Sequence, residues 1–102
     1  MSSATGMLEP TMDSTTFERE LRAEGFTAFA EGNLKPSLQR PEHDHEFDAA
    51  VLITAGAITL KTAEGTRTYR PGESFRMPKG CRHAESTDEA GCSFFIGRRL
   101  YK

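Results

Sequence analysis

All three histidines of the 102-residue chain fall in two short segments, Pro41-Glu42-His43-Asp44-His45 and Pro78-Lys79-Gly80-Cys81-Arg82-His83. Successive side chains of a β-strand point to opposite faces, so residues two apart share one. On a strand, His43 and His45 therefore project their imidazoles into one volume without help from tertiary structure. His83 follows a Pro-x-Gly turn and supplies a third donor if its strand pairs within the same sheet. Imidazole ligates Fe, Ni, Cu and Zn, and three of them leave coordination positions open to water or substrate. A His-x-His pair is also what two solvated residues on an edge strand look like, and Glu42, Asp44 and Glu46 fit a merely polar segment. The third histidine, aimed by a turn, argues for the metal. Asp48 is a further candidate ligand: strict alternation turns it away from His45, but a β-bulge between them would bring its carboxylate inward.

Such a constellation needs a sheet to hold it. Thr15 and Glu18 have capping-box spacing, Phe17 and Leu21 recur at a helical period, and Gly25 sits where a helix stops, so one short helix is expected there. Beyond Gly25 no helical period returns. The chain breaks into β-prone runs at 26–30, 34–40, 49–54, 57–62, 66–70, 74–77, 83–87 and 92–101, separated by Gly32, Gly56, Gly65, Gly72, Gly80 and Gly91. A stop every eight to twelve residues or so is the rhythm of an antiparallel sandwich or barrel. Ile58 and Leu60 alternate with Thr59 and Lys61, and Tyr69 follows across 63–65, which reads as a hairpin with one wet face. The length suits one domain, residues 13–102. Residues 1–12 have no period and read as a flexible arm.

Composition narrows the function classes. Thirteen Lys and Arg against fifteen Asp and Glu give a formal charge of -2, which offers no field to hold nucleic acid or an anionic membrane. The longest apolar run, 49–53, is far below the ~20 residues of a membrane span, and the first residues lack the basic head and apolar stretch of a secretory signal. Two cysteines, Cys81 and Cys92, are too few for a disulfide scaffold and read as small buried hydrophobes. A cytoplasmic protein whose partner is a small molecule is expected.

These residues resemble the cupin superfamily. Its first motif runs His-x-His, three or four residues, Glu, six residues, Gly; His43, His45 and Gly56 stand in register, with Ala49 at the glutamate position. Its second runs Gly, five residues, Pro-x-Gly, two residues, His, three residues, Asn; Gly72, Pro78, Gly80 and His83 fit, with Thr87 at the Asn position. Ser37 stands where the first motif opens with Gly. The resemblance covers about 34–92. It implies an all-β antiparallel jelly-roll barrel, the double-stranded β-helix, with one short N-terminal helix. It also implies a divalent transition metal, Fe first and Ni, Cu, Zn or Mn as alternatives, on His43, His45 and His83.

In many cupins the motif glutamate completes a three-histidine, one-carboxylate site. With Ala49 in its place, the chain is similar to the three-histidine cupins such as cysteine, gentisate and β-diketone dioxygenases. That implies an oxygenase or isomerase acting on a small organic acid or thiol. A non-catalytic metal- or ligand-sensing module, and a dimerising scaffold with a decayed site, are the competing readings. Arg98, Arg99 and Lys102 form a basic end from which an arginine near the metal mouth would clamp a carboxylate. Phe26, Phe29, Leu34 and Leu38 place apolar surface near a sheet edge, and small cupins commonly hide such an edge by forming a homodimer.

Overall fold

The computed structural model describes residues 12–100, so the expected arm lies outside the described residues except for Met12. Helix α1 spans Ser14–Ala23. Its N-cap is Asp13, whose carboxylate accepts from the Thr16 amide at 2.7 Å. A carboxylate suits the positive end of the helix dipole, so the helix starts one residue before the Thr15 that the sequence spacing favoured. At the other end Phe26 N donates to Leu21 O and Gly25 N to Arg22 O, with Gly25 at φ 98°. Those two bonds are the Schellman arrangement that the glycine permits. Phe17 and Leu21 form the buried face.

Eight strands follow: β1 Ala28–Leu34, β2 Gln39–His43, β3 Phe47–Gly56, β4 Ile58–Thr62, β5 Gly65–Tyr69, β6 Ser74–Met77, β7 His83–Ser86 and β8 Cys92–Leu100. They make two four-stranded sheets with strand orders β1-β8-β3-β6 and β2-β7-β4-β5. Every pairing is antiparallel. Mostly antiparallel strand in two sheets with one short helix is the antiparallel sandwich that the punctuation pattern implied and the small jelly roll that the resemblance implied.

Strand β3 explains the long apolar run. Ala49, Val51 and Ile53 belong to the core with Ile58 and Leu60 of the facing sheet and Met77 of the neighbouring β6, while Ala50 and Leu52 pack with Phe17, Leu21, Phe26 and Phe95 beneath the helix. A strand covered on both faces needs no polar alternation. The helix comes this close because Gly97, beside Ala50 in the sheet, has no side chain: a Cβ there would sit 2.7 Å from Leu21 Cδ1.

The boundaries that bear on the site differ from the sequence reading in three places. Strand β1 runs straight through Gly32 and Asn33, paired with β8 along its whole length, because the Phe94 ring occupies the space above Gly32. Residues 35–38 are not strand; Pro36 and Ser37 make a turn in which Ser37 takes φ 55°, and β2 starts only at Gln39. Strand β3 begins two residues before the expected 49, at Phe47. The apolar residues that suggested an exposed edge are covered within the chain: Phe26 and Leu34 are buried, and Phe29 and Leu38 pack against the two cores. No helix among the described residues is long and apolar enough to cross a membrane.

Candidate metal centre

His43 closes β2, His45 lies just beyond it, and His83 opens β7 directly opposite His43. The Pro78-Lys79-Gly80 turn sets that register. Cys81 N donates to Pro78 O at 3.0 Å, with Gly80 at φ 81°, a backbone region that L side chains avoid. Gly80 N in turn donates to His45 O at 3.0 Å, which ties the two histidine segments together. One ligand atom from each of the three imidazoles lies within 4.8 Å of the others. Ring centroids are 4.3 Å apart for His43 and His83, 5.1 Å for His43 and His45, and 5.2 Å for His45 and His83.

The hydrogen bonds fix which nitrogen faces the cluster. His43 Nδ1 is 2.8 Å from Pro41 O, and His83 Nδ1 is 3.1 Å from Cys81 O. A carbonyl only accepts, so both Nδ1 atoms carry the proton and both Nε2 atoms present a lone pair. His43 Nε2 is buried and lacks a hydrogen-bond partner among the described residues. An orphaned buried nitrogen costs about 1–3 kcal/mol, and a divalent ion supplies the partner it lacks. Burial, followed by repulsion from His83 and His43, holds His45 below its usual pKa and keeps it in the neutral form that coordinates. The donor set therefore fits a borderline transition metal.

Asp48 does not join the histidines. Strand β3 pairs Asp48 with Arg99 and Ala49 with Arg98 without a break, so the bulge that would have turned Asp48 inward is absent at this point. Its Oδ1 accepts from Lys79 N at 2.8 Å, and its Oδ2 from Arg99 Nε at 3.0 Å and Nη2 at 2.7 Å. Asp48 thus holds the Pro-Lys-Gly turn from behind while Ala49 faces the barrel interior. The same alternation sorts the two arginines: Arg98 faces the cavity beside the histidines, with its guanidinium 5.2 Å from the Phe47 ring centre, and Arg99 is committed to Asp48.

That cavity has a volume of about 270 Å³. Ala49, Val51, Ile58, Met77 and Ile96 line its apolar part, and His45, His83, Glu85, Arg40 and Arg98 its polar part. It suits a ligand at or below the small end of the usual range for organic molecules. Glu85 is the residue that sequence reasoning missed. Its Oε1 lies 3.4 Å from His83 Nε2 and 3.7 Å from His43 Nε2, and its side chain is only 11% exposed. The signal was present: Glu85 stands two residues after His83, the spacing that drew attention to His43 and His45. Cys81 and Cys92 are both free thiols. Burial, then the neighbouring Glu85 carboxylate, pushes the Cys92 thiol up to about 11, as expected of an inert core residue.

No protein-family model matches the chain. No curated protein matches it either. Solved structures do. DMSP lyase DddQ from Ruegeria pomeroyi is similar with TM-score 0.66 at 22% identity, over 74% of this chain and 39% of that one. KdgF from Halomonas sp. gives TM-score 0.63 at 17% identity, over 72% and 68%. Oxalate decarboxylase from Bacillus subtilis, a protein with Mn(II) centres, gives 0.64 at 22%, over 80% of this chain but 23% of its own. At 17–22% identity these likenesses show a shared fold.

Proposed function

We propose that the chain is a metal-binding cupin in which His43, His45 and His83 hold one divalent transition ion, with Fe the first choice and Mn, Ni, Cu or Zn the alternatives. The observation that carries this is the pair of imidazoles pinned through Nδ1 to backbone carbonyls, one of them with an orphaned Nε2. The bound metal would supply Lewis acidity or redox chemistry to a ligand that coordinates directly. Arg98 and Arg40 at the cavity wall suit a small organic acid, whose carboxylate pairs well with a guanidinium. The apolar wall excludes water from the rest of the molecule. An oxygenase or isomerase on such an acid, or on a thiol, is the activity we propose.

Elemental analysis of protein purified without added metal, followed by an oxygen-uptake and isomerisation screen over hydroxy acids, thiols, catechols and diketones, tests this. Stoichiometric metal with turnover supports the enzyme. Stoichiometric metal with no turnover leaves a sensing module, and no metal that binds in His-dependent fashion removes the proposal. We also propose a homodimer formed by edge pairing, since among the described residues β1 and β6 are the outer strands of their sheet, while Phe26, Phe29, Leu34 and Leu38 are covered within the chain. A monomer in sedimentation at micromolar concentration would remove it.

A further inference from the structure

We propose that Glu85 is the fourth protein ligand of this centre, so that the carboxylate many cupins place on the strand carrying Ala49 is here supplied from β7. The inference rests on the metal-binding reading above and goes beyond the three-histidine set it uses.

Distance is the first argument. Donor atoms about 2.1 Å from a shared ion stand about 3.4 Å apart at tetrahedral angles and about 3.0 Å apart when cis in an octahedron. Glu85 Oε1 lies 3.4 Å from His83 Nε2 and 3.7 Å from His43 Nε2. Those separations are longer than a hydrogen bond and match the edges of a coordination polyhedron that an ion would draw slightly inward. The second argument is orientation. The two carboxylate oxygens are divided between tasks: Oε1 faces the imidazoles while Oε2 lies 3.6 Å from Arg40 Nη1. An outer-shell partner on the far oxygen is how ligating carboxylates are aimed.

Elimination is the third. Asp48 faces away and is held by Arg99 and the Lys79 amide. Among the other acids beside the histidines, Glu42 and Asp44 are exposed and turn toward Arg82, and Glu46 is exposed. Ala49 offers a methyl group. A centre of three neutral imidazoles and one carboxylate leaves a divalent ion with a single net positive charge, which favours a small monoanionic carboxylate as the exchangeable ligand over a neutral molecule.

Titration with Co(II), read by calorimetry and by the visible d–d spectrum, tests the assignment. The wild-type chain should bind one Co(II), Glu85→Gln should weaken binding by about 100-fold or more and change the spectrum, and Glu42→Gln should do neither. A loss under about tenfold for Glu85→Gln, with His83→Ala abolishing binding, overturns the ligand and spares the centre. Failure of the wild-type chain to bind Co(II) overturns both. If Glu85→Gln does not fold, a crystal structure of Co(II)-loaded wild-type protein decides: a Glu85 oxygen at about 2.0–2.2 Å from the ion supports the proposal, and one beyond about 3 Å overturns it.

Discussion

Replacing Asp48 by alanine should destabilise the chain while sparing metal binding by whatever fraction remains folded. The carboxylate accepts from the Arg99 guanidinium at Nε and Nη2 and from the Lys79 amide, and the residue itself is 7% exposed. Truncating one partner of a fully buried ion pair costs about 3–5 kcal/mol. The Arg99 side chain is 40% exposed and also donates to Glu24 O at 2.7 Å, so water and that carbonyl recover part of the loss. Roughly 2–3 kcal/mol remains, most of it from the lost charge-assisted bonds and the stranded Lys79 amide. For a domain of about 100 residues that is a fall in Tm of roughly 10–20 °C. Metal-free protein should be melted with and without the substitution, and the same two samples titrated with Co(II) well below the variant's Tm. A variant within about 0.5 kcal/mol of wild type that nevertheless loses metal affinity by tenfold would refute the reasoning, because Asp48 would then be acting on the metal and not on the turn.

Ser37 is held at φ 55°, where a side chain is strained and glycine is not; Ser37→Gly should therefore raise stability by about 0.5–1 kcal/mol, net of the extra freedom glycine gives the unfolded chain, as read by urea denaturation. A thiol titration of the native protein at pH 8 should find one fast-reacting cysteine, since Cys92, with its thiol pushed up to about 11, holds only ~0.1% thiolate there; two fast equivalents would contradict the burial. The folded chain takes up the His45 proton less readily than the unfolded chain, so acid favours unfolding: stability of the metal-free protein should be full above about pH 6.5 and decline as pH falls from there toward the lowered folded value. His45→Gln should flatten that part of the profile, and an unchanged slope would assign it to other groups.

What could be read from the residues alone was decided by spacing. Phe17 and Leu21 gave the helix because their period maps directly onto a face, and the motif offsets gave the cluster, although His45 joins His43 and His83 from just beyond β2 and not by alternation along a strand. What could not be read depended on partners remote in the chain. Gly32 looked like a stop, and only the Phe94 ring above it makes it a strand residue. Residues 49–54 read as a β-prone run, but nothing local says that one of its faces meets a helix formed some thirty residues earlier. Asp48 was weighed as a ligand because its real partners, Arg99 and the Lys79 amide, lie 51 and 31 residues away. Glu85 stands at the same two-residue offset from His83 as His45 from His43, but a carboxylate at that offset carries no motif of its own.

Strand β8 is the last strand in the chain order and sits second in its sheet, between β1 and β3. During synthesis, β1 and β3 must therefore wait with their facing edges unpaired until the final strand has left the ribosome. The other sheet repeats the arrangement, since β7, the last of its four strands in the chain, sits second, between β2 and β4. Its four strands lie between Gln39 and Ser86, so His43, His83 and Glu85 come together only once β7 has joined β2 and β4. Deletion of β8 would accordingly remove the middle of a sheet, leaving two open edges and an uncovered helix, whereas loss of β1 would only trim one side. Stalled or clipped chains should be correspondingly sticky, through the exposed flanks of β1 and β3.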